Sequence, residues 1–258
     1  MLLGCLVGTP QAPLPAAVQA LVADGFDVAL VVTGADKRRG RGNDLSPSPV
    51  KRAALDLDLP VSHRVEDVLD VGADLGVVVA YGRIIRRPVL ERLAMVNIHF
   101  SLLPRWRGAA PVERALLAGD AETGTCLMQL EEGLDTGPIF DMVRVPIRER
   151  STADELRREL VDAGTDQLLR CLRSGLTSAR PQAGEPTYAA KFTADDFRID
   201  WSRQADEIDR LVRVGGAWTT FRAKRFRILA ASADPTSAPG HDRVDEQAST
   251  GAIVGVHV

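Results

Sequence analysis

The residues best suited to chemistry in this 258-residue chain lie at the end of an apolar run, in "MVNIHFSLLPRWRG" (95–108). Asn97 and His99 are two positions apart, so on a strand their side chains point to the same side. A carboxamide donates hydrogen bonds, and an imidazole both donates them and transfers protons. This pair suits a carbonyl oxygen that becomes an oxyanion, although a structural hydrogen-bonded role is the ordinary one for a histidine.

A carboxylate for the same site is offered by Asp135 in "EGLDTG" (132–137). The flanking glycines predict a turn between two strands, where an aspartate often has a purely structural role. If the turn returns to the edge where His99 lies, the carboxylate could orient the imidazole and favour its protonated form. Both interpretations of Asp135 stay open at this point.

Four short apolar runs predict the strands that position these residues: "LLGCLV" (2–7), "DVALVV" (27–32), "LGVVVA" (75–80) and "MVNIHF" (95–100). Such runs are typical of strands covered on both faces. Helical stretches are predicted between them, at 14–23, 49–59 and 88–94. This alternation predicts an α/β fold with a parallel sheet, whose ligands bind at the carboxyl ends of the strands.

The second half of the chain has a different pattern. "TGTCLMQL" (123–130) and "GPIFDMVRVPI" (137–147) predict two antiparallel strands joined by the turn that carries Asp135. Thr152 and Glu155 form a capping box that predicts the start of a long helix, with Gly175 as its stop. The pattern divides the chain into a catalytic domain (1–180), a Pro- and Gly-containing linker (181–202) and a small β unit (203–258).

Composition and motifs exclude several classes of protein. A formal net charge of −3 argues against broad nonspecific nucleic-acid binding. Neither a dinucleotide glycine fingerprint nor a phosphate-binding loop is present. The four histidines and three cysteines are too scattered for a metal site or a disulfide framework, so no metal is expected. Without a signal peptide or a membrane-length apolar run, the chain is predicted to be cytoplasmic.

Longer motifs resemble a known family. They include "PSPVK" (47–51), "VVVAYGRI" (77–84), "NIHFSLLPRWRGAAP" (97–111), "AGDAETG" (118–124), "MQLEEGLDTG" (128–137) and "RIDWS" (198–202). Through them the chain resembles the methionyl-tRNA formyltransferase family of folate-dependent enzymes. The resemblance implies a Rossmann-like, mostly parallel catalytic sheet followed by an OB-like β unit, and transfer of a formyl group from 10-formyltetrahydrofolate to initiator methionyl-tRNA.

The resemblance also implies a role for each candidate residue. Asn97 would bond the formyl oxygen, His99 would be a second donor or proton shuttle, and Asp135 would hold the tautomer of His99. The folate site would use Arg83, Ile84, Ile85, Ser101, Leu102, Leu103, Pro104, Glu132, Gly133 and Leu134. Main-chain groups are expected to bind the pterin, whose edge alternates hydrogen-bond donors with acceptors.

A basic segment, residues 36–52, is the predicted tRNA contact. It holds six Lys/Arg and two Asp, a net charge of +4 by subtraction. Its candidate tRNA-binding residues are Lys37, Arg38, Arg39, Arg41 and Lys51. The family uses such an insertion loop to enter the acceptor stem, with the arginine of "GRG", here Arg41, as the important side chain. A solvated basic turn is the alternative interpretation.

Departures from the family pattern keep a second enzymatic interpretation open. "GTP" (8–10) is followed by Gln11-Ala12-Pro13 where the family has an aromatic residue, and the C-terminal unit is short for a closed OB barrel. The alternative is a folate-dependent N-formyltransferase acting on a small amine such as an amino-sugar nucleotide. A non-catalytic relative that binds tRNA or folate is the third possibility, and a monomer is expected in each case.

Overall fold

The structure of the chain is a computed structural model that describes residues 1–7, 15–39, 44–176, 178–231, 246–248, 251–253 and 256–257. The strands are β1 (Leu2–Val7), β2 (Asp27–Val32), β3 (Lys37–Arg39), β4 (Asp44–Ser46), β5 (Val61–Ser62), β6 (Leu75–Val79), β7 (Met95–His99), β8 (Arg107–Gly108), β9 (Glu122–Gln129), β10 (Ile139–Pro146), β11 (Tyr188–Ala189), β12 (Trp218–Phe221), β13 (Lys224–Arg227), β14 (Ala230–Ala231), β15 (Glu246–Ala248), β16 (Gly251–Ile253) and β17 (Val256–His257). The α-helices are α1 (Pro15–Ala23), α2 (Pro49–Asp56), α3 (Arg87–Leu90), α4 (Pro111–Ala118), α5 (Ala153–Ser174) and α6 (Ala205–Val214), and two 3₁₀ helices span Val65–Leu69 and Asp195–Phe197.

The central sheet has seven strands in the order β10-β9-β7-β6-β1-β2-β5. Strands β5, β2, β1, β6 and β7 are parallel, whereas β9 and β10 add an antiparallel edge. The predicted mostly parallel α/β sheet is therefore confirmed. Every residue of β6 and β7 is buried, as their unbroken apolar runs indicate. Asn97 and His99 thus lie on a rigid strand between two neighbours.

Two apolar layers hold the sheet. One packs α1, α2 and α5 against β1, β2, β6, β7 and β9. The other covers the opposite face with Val68 of the first 3₁₀ helix, Val89 of α3 and the loop residues Tyr81 and Ile85. Burying each large aliphatic side chain contributes about 1.5–3 kcal/mol, so both layers stabilise the strands that carry the candidate site.

Helix α5 begins as predicted, because Thr152 accepts a hydrogen bond from the Glu155 amide while the Glu155 carboxylate accepts one from the Thr152 amide. Its Gly164 packs directly on the site strand. A Cβ built on Gly164 would lie 2.7 Å from Ile98 Cγ2, closer than real Cβ contacts allow. The missing side chain lets α5 approach β7 at Ile98, on the face of the strand opposite Asn97 and His99.

We expect the free energy of unfolding of the Gly164→Ala variant to be about 1 kcal/mol lower than that of the wild type. Overpacking typically costs about 1–3 kcal/mol, and the better helix propensity of alanine offsets about 1 kcal/mol of that. Chemical denaturation measures the difference. The control is Gly34→Ala, where an added Cβ meets nothing within 4 Å. Equal or greater stability of Gly164→Ala would contradict the tight helix–strand contact.

Several elements differ from the sequence-based expectation. Helix α3 covers only Arg87–Leu90 instead of 88–94. Helix α6 was not predicted, although Ala205, Ile208 and Val212 have helical spacing and are buried. Within the predicted linker, β11 pairs with β8 through Tyr188↔Arg107 and Ala189↔Gly108. The segment is held by backbone hydrogen bonds, which its Pro- and Gly-containing composition did not reveal.

The C-terminal part contains more strands than the three expected. After residue 217 the described residues form three short antiparallel pairs, β12–β13, β14–β17 and β15–β16. Helix α6 packs with Ile228 and Ala231 in a separate apolar cluster. Among the described helices, none has the length and apolar character needed to cross a membrane.

Candidate active site

A cavity of about 450 Å³ opens at the carboxyl ends of β6 and β7. Its walls come from the loop after β6, the end of β7, the start of α4 and the turn between β9 and β10. Asn97, His99 and Asp135 all line it. The structure thus brings Asn97 and His99 together with Asp135, which lies 38 positions after Asn97 in the sequence.

Asn97 supplies a free carboxamide to the cavity. Its backbone is paired with Val78 of β6 and Met128 of β9, so the residue cannot shift without disturbing the sheet. Within the described part of the chain, the Asn97 side chain makes no hydrogen bond. Its two N–H groups are therefore available to a bound oxygen atom.

His99 is 5% exposed and faces an oxygen on each side of the ring. Its Nε2 donates a hydrogen bond to the backbone carbonyl of Trp106 (2.9 Å), and its Nδ1 lies 3.6 Å from Asp135 Oδ2. The second distance is too long for a hydrogen bond. A ring protonated on both nitrogens would direct one hydrogen toward each acceptor.

Asp135 is held in an unusual backbone conformation, with φ +50°. Aspartate tolerates this left-handed region better than most residues, because its short side chain can bond locally. Its Oδ2 accepts a hydrogen bond from the Gly108 amide (2.7 Å). Gly108 itself has φ +117°, and a Cβ there would lie 2.9 Å from the Ala189 carbonyl oxygen. The carboxylate position thus depends on a glycine in the facing loop.

The carbonyl that holds His99 belongs to a strained residue, since Trp106 has φ +61°. Three contacts hold it. The Trp106 amide donates to Thr187 Oγ1 (2.9 Å), the indole Nε1 donates to Asp120 Oδ2 (2.8 Å), and the Arg105 guanidinium stacks 4.4 Å from the ring centroid. Arg105 also makes two hydrogen bonds to Asp120. Arg105 and Asp120 therefore support the loop whose carbonyl holds His99.

Six of the predicted folate-binding residues line the cavity: Arg83, Ile84, Ile85, Glu132, Gly133 and Leu134. Ile84 is 85% exposed and Leu134 is 60% exposed, so two apolar side chains flank an open cavity. Isolated exposed apolar residues are common, and this pair is notable only for its place at the rim of the cavity.

The other four predicted folate contacts, Ser101, Leu102, Leu103 and Pro104, do not line the cavity. Ser101 is buried and donates to the Arg105 carbonyl, while Leu103 packs against Cys126 and Met128. The Pro104 carbonyl accepts a hydrogen bond from the Thr187 amide. The chain packs back into the protein after β7, so this segment supports the loop instead of facing a ligand.

Burial shifts the pKa of two ionisable groups near the cavity, Tyr81 and Cys126. Desolvation raises the pKa of the Tyr81 hydroxyl above its usual value, while Arg83 opposes the shift. Tyr81 therefore stays neutral near pH 7. Burial also raises the pKa of the Cys126 thiol, next to His99 across the sheet, to about 12. A thiol this weakly acidic forms too little thiolate to act as a nucleophile. In the described ranges, no group of three His, Cys, Asp or Glu residues could hold a metal ion.

The predicted tRNA-binding residues divide into distinct groups. Lys37 and Arg38 are exposed on the β3–β4 hairpin. Lys51, in contrast, forms hydrogen bonds of 2.8 and 2.9 Å to both carboxylate oxygens of Asp36. Its ammonium is committed to the base of the hairpin, which weakens the expectation that it binds phosphate. Arg39 belongs to β3, and Arg41 lies outside the described residues.

Three polar residues that hold the site were not predicted. Asp120 accepts a hydrogen bond from the Trp106 indole, and Thr187 accepts one from the Trp106 amide. Gln182 donates a hydrogen bond to the Asp135 carbonyl. Asp120 falls in the family motif "AGDAETG" (118–124), which offered a signal. Gln182 and Thr187 lie in a Pro- and Gly-rich stretch with no periodic pattern, so only their contacts reveal them.

Sequence comparisons identify the relatives of this chain. A formyl transferase family model matches residues 10–172, and a model of the formyl transferase C-terminal domain matches residues 191–257. The methionyl-tRNA formyltransferase of Clavibacter sepedonicus is 45% identical over 248 residues, covering 90% of this chain and 81% of the relative. That of Ruegeria pomeroyi is 42% identical over 267 residues, covering 96% and 88%.

Solved structures share the fold at lower identity. An N-formyltransferase from Helicobacter canadensis, in complex with folinic acid and dTDP-3-aminofucose, has a TM-score of 0.75 at 17% identity and covers 100% of both chains. Methionyl-tRNA formyltransferase from Clostridium thermocellum has a TM-score of 0.66 at 16% identity, covering 92% of this chain and 95% of its own.

Proposed function

Because the chain belongs to the formyl transferase family, we propose that it transfers the formyl group of 10-formyltetrahydrofolate to the α-amine of methionyl-tRNA. The observation that carries the chemistry is the meeting of Asn97, His99 and Asp135 in one cavity. The observation that carries the acceptor is 42–45% identity to methionyl-tRNA formyltransferases over most of the chain. Initiator tRNA is the acceptor that the resemblance implies.

The reaction needs an attack on a carbonyl without a covalent enzyme intermediate. The neutral amine attacks the formyl carbon, a new C–N bond forms, and the formyl oxygen becomes an oxyanion. The bond between the formyl carbon and N10 of the folate then breaks, and the proton lost by the amine reaches N10. The products are formylmethionyl-tRNA and tetrahydrofolate.

Each of the three residues has a part in this sequence. Asn97 donates a hydrogen bond to the developing oxyanion, which is the interaction that strengthens most in the transition state. A His99 ring protonated on both nitrogens would add positive charge beside that oxygen, and it can carry the proton once Nε2 leaves the Trp106 carbonyl. Asp135 orients the ring, and the 3.6 Å gap is expected to close when substrates bind, because catalytic hydrogen bonds often tighten in the complex.

The folate is proposed to lie between the loop after β6 and the turn between β9 and β10. Arg83, Ile85 and Glu132 line this side of the cavity, and their backbone groups are proposed to bind the pterin. Ile84 and Leu134 would cover the faces of the pterin, which gives a reason for their exposure. No metal takes part in the proposed chemistry.

The tRNA is proposed to contact two basic hairpins. Lys37 and Arg38 are exposed on β3–β4, and Arg41 completes the predicted contact from sequence alone. The β12–β13 hairpin adds exposed Arg222, Lys224, Arg225 and Arg227 beside Trp218 and Phe221. Aromatic rings next to cations suit nucleic-acid surfaces. This local concentration of charge was hidden by the balanced composition of the C-terminal part.

Two acceptor classes distinguish the proposal from its alternative. The purified chain is incubated with 10-formyltetrahydrofolate and either charged initiator tRNA or an amino-sugar nucleotide, and formylated products are separated by mass. Formylation of the methionyl-tRNA is expected. Formylation of the sugar nucleotide alone would reject the tRNA acceptor and favour a small-amine N-formyltransferase. Because tRNA charging and translation take place in the cytoplasm, the proposal includes a cytoplasmic location. All residues that line the cavity belong to one chain, which agrees with the proposed monomer.

The salt dependence of the reaction tests the β3–β4 hairpin. The Arg38→Ala/Arg41→Ala variant is expected to raise KM for methionyl-tRNA and to flatten the fall of kcat/KM with salt, by about 0.7–0.9 in logarithmic slope for each phosphate that the variant no longer neutralises. Arg158→Ala, an exposed substitution on α5, is the control. An unchanged slope, or an equal loss with a small amine acceptor, would remove the hairpin from tRNA binding.

A further inference from the structure

The segment 180–190, here called the strap, joins the two loops that form the active site. Its first end pairs with the strand after the Asp135 turn, through reciprocal hydrogen bonds of 2.8 Å between Arg180 and Ile139. Its second end holds the loop after β7, because the Thr187 carbonyl accepts a hydrogen bond from the Arg107 amide (2.8 Å). The strap therefore bridges parts of the chain that carry Asp135 and the partners of His99.

Gln182 lies between these ends and uses its whole carboxamide. Its Nε2 donates to the carbonyl oxygens of Asp135 (2.8 Å) and Gly137 (2.9 Å). Its Oε1 accepts hydrogen bonds from Arg107 Nη2 (2.7 Å) and Nε (3.2 Å). A guanidinium only donates hydrogen bonds, so Oε1 must face Arg107 and the N–H groups must face the two carbonyls. The donor and acceptor groups around Gln182 therefore fix the orientation of its amide.

This arrangement holds the backbone of the turn that carries the Asp135 carboxylate. Asp135 has φ +50°, a conformation that surrounding contacts must hold. Gln182 anchors the carbonyl of Asp135 itself and that of Gly137, so the turn keeps its path on both sides of the carboxylate. Through Arg107, the same amide ties the turn to Gly108, whose N–H holds Asp135 Oδ2. Gln182 does not line the cavity.

We propose that Gln182 is a positioning residue for formyl transfer, which fixes the Asp135 turn so that the carboxylate faces His99. The proposal rests on the proposed function for its kinetic consequences. Misplacing a reacting group by about 1 Å can reduce a rate by about 10²-fold. A loosened turn would widen the 3.6 Å separation between Asp135 Oδ2 and His99 Nδ1 without removing either group.

The Gln182→Glu variant tests this role, because glutamate matches the shape of glutamine but offers only acceptors to the carbonyls of Asp135 and Gly137. We expect kcat to fall by about 10–100-fold, while KM for 10-formyltetrahydrofolate changes less than about 3-fold. Gln19→Glu, on the exposed face of α1, makes the same chemical change away from the site and should match the wild type. A wild-type kcat, or a change confined to KM, would overturn the proposal.

A double-mutant cycle separates positioning from a general structural effect. If Gln182 acts through Asp135, adding Gln182→Glu to Asp135→Asn should lower kcat by less than about 3-fold further. Independent effects would multiply instead. Full multiplication, with an unfolding midpoint lowered in both backgrounds, would show that Gln182 serves only stability.

A spectroscopic measurement makes the proposal independent of the acceptor. The imidazole ¹⁵N resonances of His99, assigned with a His99→Asn variant, should shift in Gln182→Glu and stay in place in Gln19→Glu. Unchanged resonances would reject the positioning role. If the wild type formylates no methionyl-tRNA, the proposed function fails, but the resonances still decide whether Gln182 controls the Asp135–His99 pair.

Discussion

The His99→Ala variant is expected to lower kcat for formyl transfer by about 10²–10⁴-fold, the range over which a positioned acid–base group acts. The ring lies in the cavity between the Trp106 carbonyl and Asp135, and alanine can neither carry a proton nor add charge near the formyl oxygen. The dissociation constant for the folate should change less than about 3-fold, because binding uses the other walls of the cavity. Steady-state kinetics and calorimetric binding measure the two quantities.

His63→Ala is the matched control for this variant. His63 contacts the Thr33 carbonyl through Nδ1 and does not line the cavity, so its loss should leave kcat near the wild-type value. Because His99 is buried in a central strand, unfolding of both variants is measured alongside turnover. A folded His99→Ala variant with wild-type kcat would exclude the imidazole from the mechanism.

The Asp135→Asn variant is expected to lower kcat by at least about 10²-fold with little change in folding. Asparagine also adopts left-handed backbone conformations, and its amide oxygen can still accept the Gly108 N–H hydrogen bond. What is lost is the negative charge that faces His99 Nδ1. Without it, the imidazole loses the carboxylate that orients the ring.

Asp58→Asn provides the same substitution in the same backbone region. Asp58 has φ +55° and is exposed in the loop after α2, and it does not line the cavity. Its variant should keep wild-type kcat. If His99 and Asp135 act as a unit, the double variant His99→Ala/Asp135→Asn should be little slower than His99→Ala alone. Multiplying losses would mean that Asp135 contributes independently of the ring.

The fold by itself does not select the acceptor. The chain is similar in structure both to an N-formyltransferase bound to an amino-sugar nucleotide and to a methionyl-tRNA formyltransferase, each at under 20% identity. One scaffold carries different substrates because specificity lies in loops on a shared sheet. The evidence for methionyl-tRNA comes from sequence relatives that match the catalytic and C-terminal parts together.

Local patterns in the sequence predicted what depends on local physics. Apolar runs identified β1, β2, β6 and β7, because strands buried on both faces need unbroken apolar residues. The capping box identified the start of α5, and the spacing of Asn97 and His99 placed both on one side of β7. The flanking glycines predicted the turn at Asp135, and the longer motifs indicated the family and its reaction.

Contacts between distant residues could be decided only by the tertiary structure. Gln182 and Asp135 are 47 positions apart, and nothing in the composition of a Pro- and Gly-rich stretch shows which carbonyls it will meet. Likewise, Ser101 to Pro104 belong to a family motif but do not line the cavity, and Lys51 belongs to a basic segment but pairs with Asp36. A motif records which residues are present. The path of the folded chain determines which of them reach the cavity and which only support it.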